Sequence, residues 1–121
     1  MELLDYINAS PTAFHAVKNA ADILSRRGFA ELSQGKKWSL ERGGKYFIKK
    51  EHSAIAAFSI GDDFAPEHGV RIIAAHTDSP GIKVKPGGCL TEAGCVKLNT
   101  ECYGGMILST WLDRPLSLAG L

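Results

Sequence analysis

The chain has 121 residues, of which 45% are hydrophobic and 22% are charged, and its formal net charge is +1. This is the composition of an ordinary globular protein, and it excludes a disordered or fibrous one. Acidic and basic residues are mixed without a basic block, and no stretch approaches the roughly 20 apolar residues of a membrane span, so no nucleic acid or membrane partner is expected.

The N-terminal residues and the cysteines both favour a cytoplasmic location. Met1–Asp5 places acidic side chains where a signal peptide needs basic ones, and no apolar run follows. The odd number of cysteines (Cys89, Cys95 and Cys102) argues for reduced thiols, and none of them has the pair spacing of a zinc finger. We expect them to be small, partly buried hydrophobic residues.

Two segments near the N-terminus, residues 2–8 and 11–27, have helical character. In the second, Ser10 is a candidate N-cap and Pro11 suits the first helical position. Gly28 can close the helix in the left-handed conformation. One apolar stripe recurs at three- and four-residue steps, formed by Phe14, Val17, Ala21 and Leu24.

Short strands are predicted after the helices. Lys45–Lys50 and Ser53–Ile60 form a candidate hairpin around Glu51 and His52, and the second strand is apolar enough to be covered on both faces. Further strands are predicted at Val70–Ala75, Ile82–Lys85 and Cys95–Cys102.

This order of elements predicts an α/β fold in which N-terminal helices are followed by a mixed β-sheet. The last residues, Leu116–Leu121, look like the start of an apolar element that is not finished. We therefore expect an incomplete domain.

The clearest candidate for chemistry is the pair His76 and Asp78. Side chains two residues apart in an extended chain point the same way, so the carboxylate can accept the spare ring N–H of the histidine and strengthen it as a metal ligand. The pair follows a predicted strand, where ligand sites of α/β sheets collect. A purely structural hydrogen bond between the two side chains explains the same spacing.

A second candidate is Asp113, which lies between Trp111 and the turn that contains Pro115. Its carboxylate could bridge metal ions. An Asx turn, or an ion pair with Arg114, is the alternative.

Five ordered segments over about a hundred residues resemble the aspartyl aminopeptidases, a family of zinc metallopeptidases. They are Ala9–Val17, Trp38–Tyr46, Ala74–Pro86, Glu101–Gly105 and Thr110–Gly120. The resemblance implies that residues 1–121 are the N-terminal segment of the catalytic domain, and that the chain ends near the point where the family's inserted β-rich assembly domain begins.

The resemblance also implies roles for the candidate residues. His76, in the family's HTDSP motif, would bind zinc, and Asp78 would orient it as part of the catalytic apparatus. Asp113 would bridge two zinc ions. Members of the family remove N-terminal aspartate or glutamate from peptides and form large homo-oligomers.

The chain departs from the family pattern in one segment. Leu112 and Pro115 replace the phenylalanine and the second aspartate of the family's W-F-D-R-D-L segment, and Pro115 removes a carboxylate and a backbone donor near Asp113. The family's catalytic glutamate and its other metal ligands lie beyond residue 121, so we expect the isolated chain to be inactive. The alternative is a non-catalytic assembly or binding module derived from the same fold.

Overall fold

A computed structural model describes residues 2–121. The chain forms two compact units. The first contains the described residues up to Thr77 together with Ala119–Leu121. The second is Asp78–Leu118.

Two helices open the first unit, α1 (Leu3–Asn8) and α2 (Ala13–Arg26), as the sequence predicts. The Tyr6 hydroxyl on α1 donates a hydrogen bond of 2.9 Å to the carbonyl of Ala16, which joins the two helices. None of the helices in residues 2–121 is both long enough and apolar enough to cross a membrane.

The N-terminus of α2 differs from the prediction. Thr12 is the N-cap, and its hydroxyl accepts a hydrogen bond from the backbone N–H of His15. The prediction that Ser10 caps the helix was wrong because the Ser10 hydroxyl instead accepts from the Asn19 side chain at 3.0 Å. Pro11 consequently lies before the cap rather than at the first helical position.

The C-terminus of α2 agrees with the prediction. Gly28 has φ of 80°, which glycine adopts without the cost that a side chain brings. Its N–H donates to the carbonyl of Ser25, and the N–H of Phe29 donates to the carbonyl of Leu24. These two hydrogen bonds form a Schellman motif, which satisfies carbonyls that the end of a helix leaves without partners.

Three strands form a mixed sheet in the order β1–β2–β3, which confirms the predicted sheet type. They are β1 (Ala30–Glu31), β2 (Lys45–Lys50) and β3 (Ala54–Ser59). β1 is parallel to β2, and β2 is antiparallel to β3. Glu51 and His52 both have positive φ, 49° and 60°, as the tight primed turns of hairpins require.

The core of the first unit lies between α2 and the sheet. Val17 and Phe47 are each 1% exposed, and Ala16, Ala21 and Tyr46 complete the set of buried apolar residues. Phe58 on β3 contacts the Tyr46 ring, with the two centroids 5.6 Å apart. The prediction that β3 is covered on both faces was wrong: most of its side chains are exposed in the described part of the chain.

The strand predicted at Val70–Ala75 is not formed. Val70, Ile72 and Ile73 are 78%, 81% and 101% exposed, and the stretch has no regular secondary structure. The apolar composition of this stretch is what predicted a strand. A strand, however, needs a hydrogen-bonded neighbour, and no strand of residues 2–121 pairs with this stretch.

The second unit is built on one antiparallel hairpin, β4 (Gly81–Glu92) and β5 (Cys95–Tyr103), so both predicted strands are confirmed and are longer than expected. The register is irregular between Val84 and Cys89. Gly88 allows the backbone to come close there, because a Cβ atom at this position would lie 2.5 Å from the carbonyl oxygen of Lys85.

The three cysteines are free, as predicted, but all three are exposed. The expectation that they are partly buried was wrong, because they lie on a hairpin whose side chains are mostly open to solvent. After β5, a short 3₁₀ helix at Leu108–Thr110 precedes a turn, and residues 115–121 have no regular secondary structure.

Candidate metal site

His76 belongs to the first unit and is exposed. Its neighbour Thr77 is half-buried, and the Thr77 hydroxyl donates a hydrogen bond of 2.9 Å to the carbonyl of Ser53. Ser53 immediately precedes β3. The backbone beside the candidate zinc ligand is therefore attached to the edge of the hairpin turn, although the stretch itself is not a strand.

Asp78 belongs to the second unit, where its Oδ2 accepts a hydrogen bond from the Tyr103 hydroxyl. Tyr103 is the last residue of β5, and it pairs in register with Gly81, the first residue of β4. The Lys83 ammonium lies over the Tyr103 ring, 3.3 Å from its centroid. The phenol is therefore held between a cation on its face and a carboxylate at its hydroxyl.

This environment changes the acid–base behaviour of the phenol. The hydrogen bond to Asp78, the negative charge of Asp78 and a smaller contribution from burial raise the pKa of Tyr103 above its ordinary value of 10.0. A carboxylate favours the protonated phenol because the phenolate would be a second negative charge beside it.

Asp113 lies in the turn after the 3₁₀ helix and has a φ of 54°. Aspartate tolerates this left-handed conformation better than most residues. The neighbouring Arg114 donates from Nη1 to the carbonyl of Thr110 at 3.2 Å, a contact within the turn. Of the other non-glycine residues with positive φ in the described chain, all three lie in the tips of hairpins. Asp113 differs from them in lying in the turn that follows the 3₁₀ helix.

The candidate residues have the donor types that zinc accepts, an imidazole and carboxylates. However, no group of three or more His, Cys, Asp or Glu side chains that could hold a metal ion is found within residues 2–121. A zinc site normally needs at least three protein ligands. The chemistry of the donors therefore fits zinc, but this part of the chain does not assemble a full set.

The remaining histidines have other surroundings. His15 lies on α2 with Nδ1 2.8 Å from the Thr12 hydroxyl, so it belongs to the helix cap. His52 occupies a hairpin turn and His68 a short 3₁₀ helix.

Sequence reasoning missed Tyr103 as a neighbour of the site. Tyr103 is part of the Glu101–Gly105 segment, but its distance from Asp78 along the sequence matches no helix or strand period and so does not predict a contact. Only the hairpin register, which returns the end of β5 to the start of β4, brings the two side chains together.

A family model and the similar proteins found by comparison all point to the same family. The family model described as "Aminopeptidase I zinc metalloprotease (M18)" matches residues 6–121. A "Probable M18 family aminopeptidase 2" from Clostridium novyi is 52% identical over 120 residues, which are 98% of this chain and 28% of the relative. "Aspartyl aminopeptidase 1" of Schizosaccharomyces pombe is 45% identical over 122 residues, covering 99% of this chain and 26% of the relative.

A solved structure agrees in fold. The mApe1 dodecamer of Saccharomyces cerevisiae superposes with a TM-score of 0.82 at 32% identity, over 91% of this chain and 26% of that chain. The chain thus spans about a quarter of the length of the proteins that it resembles.

Proposed function

The chain belongs to the Aminopeptidase I zinc metalloprotease (M18) family, and we propose that it is the N-terminal segment of the catalytic domain of a zinc metalloaminopeptidase. The enzyme would remove N-terminal residues, acidic ones by preference, from peptides. The observation that carries the proposal is the family match over residues 6–121, which includes the His76-Thr77-Asp78 motif and Asp113.

We assign His76 and Asp113 as metal ligands and Asp78 as the residue that orients His76. His76 would bind zinc through one ring nitrogen and donate the N–H of the other to Asp78, which fixes the tautomer. Asp113 would use both carboxylate oxygens and bridge two zinc ions.

Bound zinc would supply a nucleophilic water at neutral pH and would polarise the scissile carbonyl. The chain's own contribution is to hold and orient ligands. A glutamate that accepts the proton of the water, together with the remaining ligands, would come from the part of the protein that follows residue 121, near an inserted assembly domain.

A preference for acidic N-terminal residues is supported by the name of the fission yeast relative, an aspartyl aminopeptidase. Lys83 and Lys85 are the first basic residues after Asp78 in the sequence. Both side chains are exposed, but the Lys83 ammonium lies over the Tyr103 ring, so Lys85 is the better candidate for attracting an acidic substrate.

Self-association into a homo-oligomer and a cytoplasmic location complete the proposal. The related yeast protein is described as a dodecamer, which supports the first. Large apolar side chains such as Leu90, Val96 and Leu98 are exposed on the hairpin of the second unit, and contact with other parts of an assembly would cover them.

The second candidate is a non-catalytic assembly or binding module of the same family. It is favoured by the incomplete set of metal donors within residues 2–121 and by Pro115 beside Asp113. The sequence that follows Leu121 separates the two readings: a Glu-Glu pair and a late histidine indicate the enzyme, and an immediate stop indicates the module.

The direct test compares the full-length protein with residues 1–121 alone, using peptides that begin with Asp or Glu and matched peptides that begin with Ala. The full-length protein should release the acidic residue, lose this activity to a chelator and regain it with zinc. The isolated chain should release none. The proposal would be refuted by a full-length protein that contains no zinc and whose activity does not change when the chelator is added.

A further inference from the structure

We propose that Tyr103 is a positioning residue for Asp78, and that Lys83 holds the Tyr103 ring in place for this purpose. The inference rests on the proposed function, in which Asp78 orients His76. It adds two residues whose contribution to that site comes from contacts within the second unit.

The first step is the hydrogen bond. A phenol has one O–H to donate, and in this structure it is donated to Oδ2 of Asp78. An ionised carboxylate accepts at about four lone-pair sites, so this bond leaves acceptor capacity for an imidazole N–H. A hydrogen bond to one oxygen restricts the rotation of the carboxylate, and it thereby restricts the direction of the second oxygen.

The second step is the placement of the phenol. Gly104, which follows Tyr103, has φ of 73°, and a Cβ atom there would lie 3.4 Å from atoms of Pro80. The backbone after β5 therefore runs close to the segment that follows Asp78. This close approach, together with the Gly81–Tyr103 register, places the Tyr103 ring beside Asp78.

The third step is the cation on the ring. Tyr103 pairs with Gly81, and Lys83 lies two residues after Gly81 on β4, so the Lys83 side chain is on the same face of the hairpin as that of Tyr103. Its ammonium is 3.3 Å from the ring centroid, a cation–π contact. An exposed tyrosine would otherwise sample several rotamers, and the contact restricts the ring to the one that reaches Asp78.

The consequence is a short chain of positioned groups, from Lys83 to Tyr103 to Asp78. Partners beyond the direct ligands of a metal typically contribute 10- to 100-fold to metal affinity or activity. Tyr103 acts through Asp78, so it should affect zinc affinity and turnover only while the Asp78 carboxylate is present.

The experiment uses the full-length protein with the variants Tyr103→Phe, Asp78→Ala and the double variant. Zinc affinity is measured by competition with a chelator, and kcat and KM are measured on an aspartyl peptide. Tyr103→Phe should lower kcat and zinc affinity about 10-fold each with little change in KM. The double variant should match Asp78→Ala within about twofold, since the hydroxyl has no acceptor to position once the carboxylate is gone.

The control is Tyr6→Phe, which also removes one tyrosine hydroxyl hydrogen bond, to the Ala16 carbonyl between α1 and α2. It should leave kcat and zinc affinity unchanged. For Lys83, Lys83→Met should lower kcat, and Lys83→Arg should restore it because a guanidinium also stacks on an aromatic face.

The outcomes separate this inference from the proposed function. An active, zinc-containing wild type whose Tyr103→Phe variant is unchanged overturns the inference alone. So does a double variant whose losses simply add, because additivity would mean that Tyr103 acts independently of Asp78. A wild type without zinc or activity overturns both.

Discussion

The hydroxyl of Thr77 donates a hydrogen bond of 2.9 Å to the carbonyl of Ser53, which attaches the residue beside His76 to the start of β3. This contact matters because His76 lies in a stretch without regular secondary structure, where no ladder of backbone hydrogen bonds sets its position. The hydrogen bond of the Thr77 side chain therefore helps to fix the position of the backbone beside His76.

Substitution of Thr77 should therefore disturb the site. Thr77→Val keeps the shape and removes the hydroxyl, which should cost about 1 kcal/mol of stability and weaken zinc binding in the full-length protein. Thr77→Ser retains the donor and should preserve both. Thermal unfolding and chelator competition measure the two effects, and equal behaviour of the valine and serine variants would contradict the assigned role.

Substitution of His76 should remove the metal. In the full-length protein, His76→Ala deletes a proposed zinc ligand and should abolish activity and lower the zinc content. His68→Ala is a matched control, because His68 is an exposed histidine in a 3₁₀ helix of the first unit. Elemental analysis and turnover on an aspartyl peptide provide the measurements. Full zinc content and turnover in His76→Ala would show that the site lies elsewhere.

Tyr103 should titrate above pH 10, because Asp78 raises its pKa from 10.0. The folded state then holds the phenolic proton more tightly than the unfolded state does. Its contribution to stability is complete below about pH 10 and is lost as the pH rises through the higher folded pKa. Ultraviolet titration of tyrosinate in residues 1–121, with Tyr103→Phe subtracted, gives the midpoint. Asp78→Asn should move the midpoint down, and an unchanged midpoint would argue against the contact.

The core of the first unit depends on Phe47, which is 1% exposed. Phe47→Ala should lower the free energy of unfolding by about 3–5 kcal/mol, through lost burial and the cavity left behind. Leu4→Ala removes a side chain that is 72% exposed and should change stability by less than about 0.5 kcal/mol. Urea denaturation of each variant tests the contrast, and similar losses at the two positions would place the core elsewhere.

Local features of the chain were predictable because their causes are local. The Schellman motif at Gly28 and the hairpin around Glu51 and His52 follow from residue types and from periodicity within a few positions. The N-cap of α2 was harder, since Ser10 and Thr12 are both good caps. In the structure the Ser10 hydroxyl accepts a hydrogen bond from the Asn19 side chain, and Thr12 caps the helix instead.

Features that depend on distant partners were not predictable in this way. Val70–Ala75 has the composition of a strand, but the pairing that makes a strand must come from another segment. The neighbourhood of Asp78 likewise depends on Tyr103, 25 residues later, and on a hairpin register that includes an irregularity. The identity of the candidate residues could be inferred from sequence, whereas their supporting contacts required coordinates.

The exposed side chains of Val70, Ile72 and Ile73 have a consequence for how the polypeptide must be handled, in the cell and in the laboratory. An extended apolar stretch that pairs with no strand of residues 2–121 is a template on which other chains can add strands. On the proposed function, this stretch leaves the ribosome before the residues that would cover it are made. Nascent molecules would then depend on chaperones during that interval, and purified 1–121 would precipitate as its concentration increases.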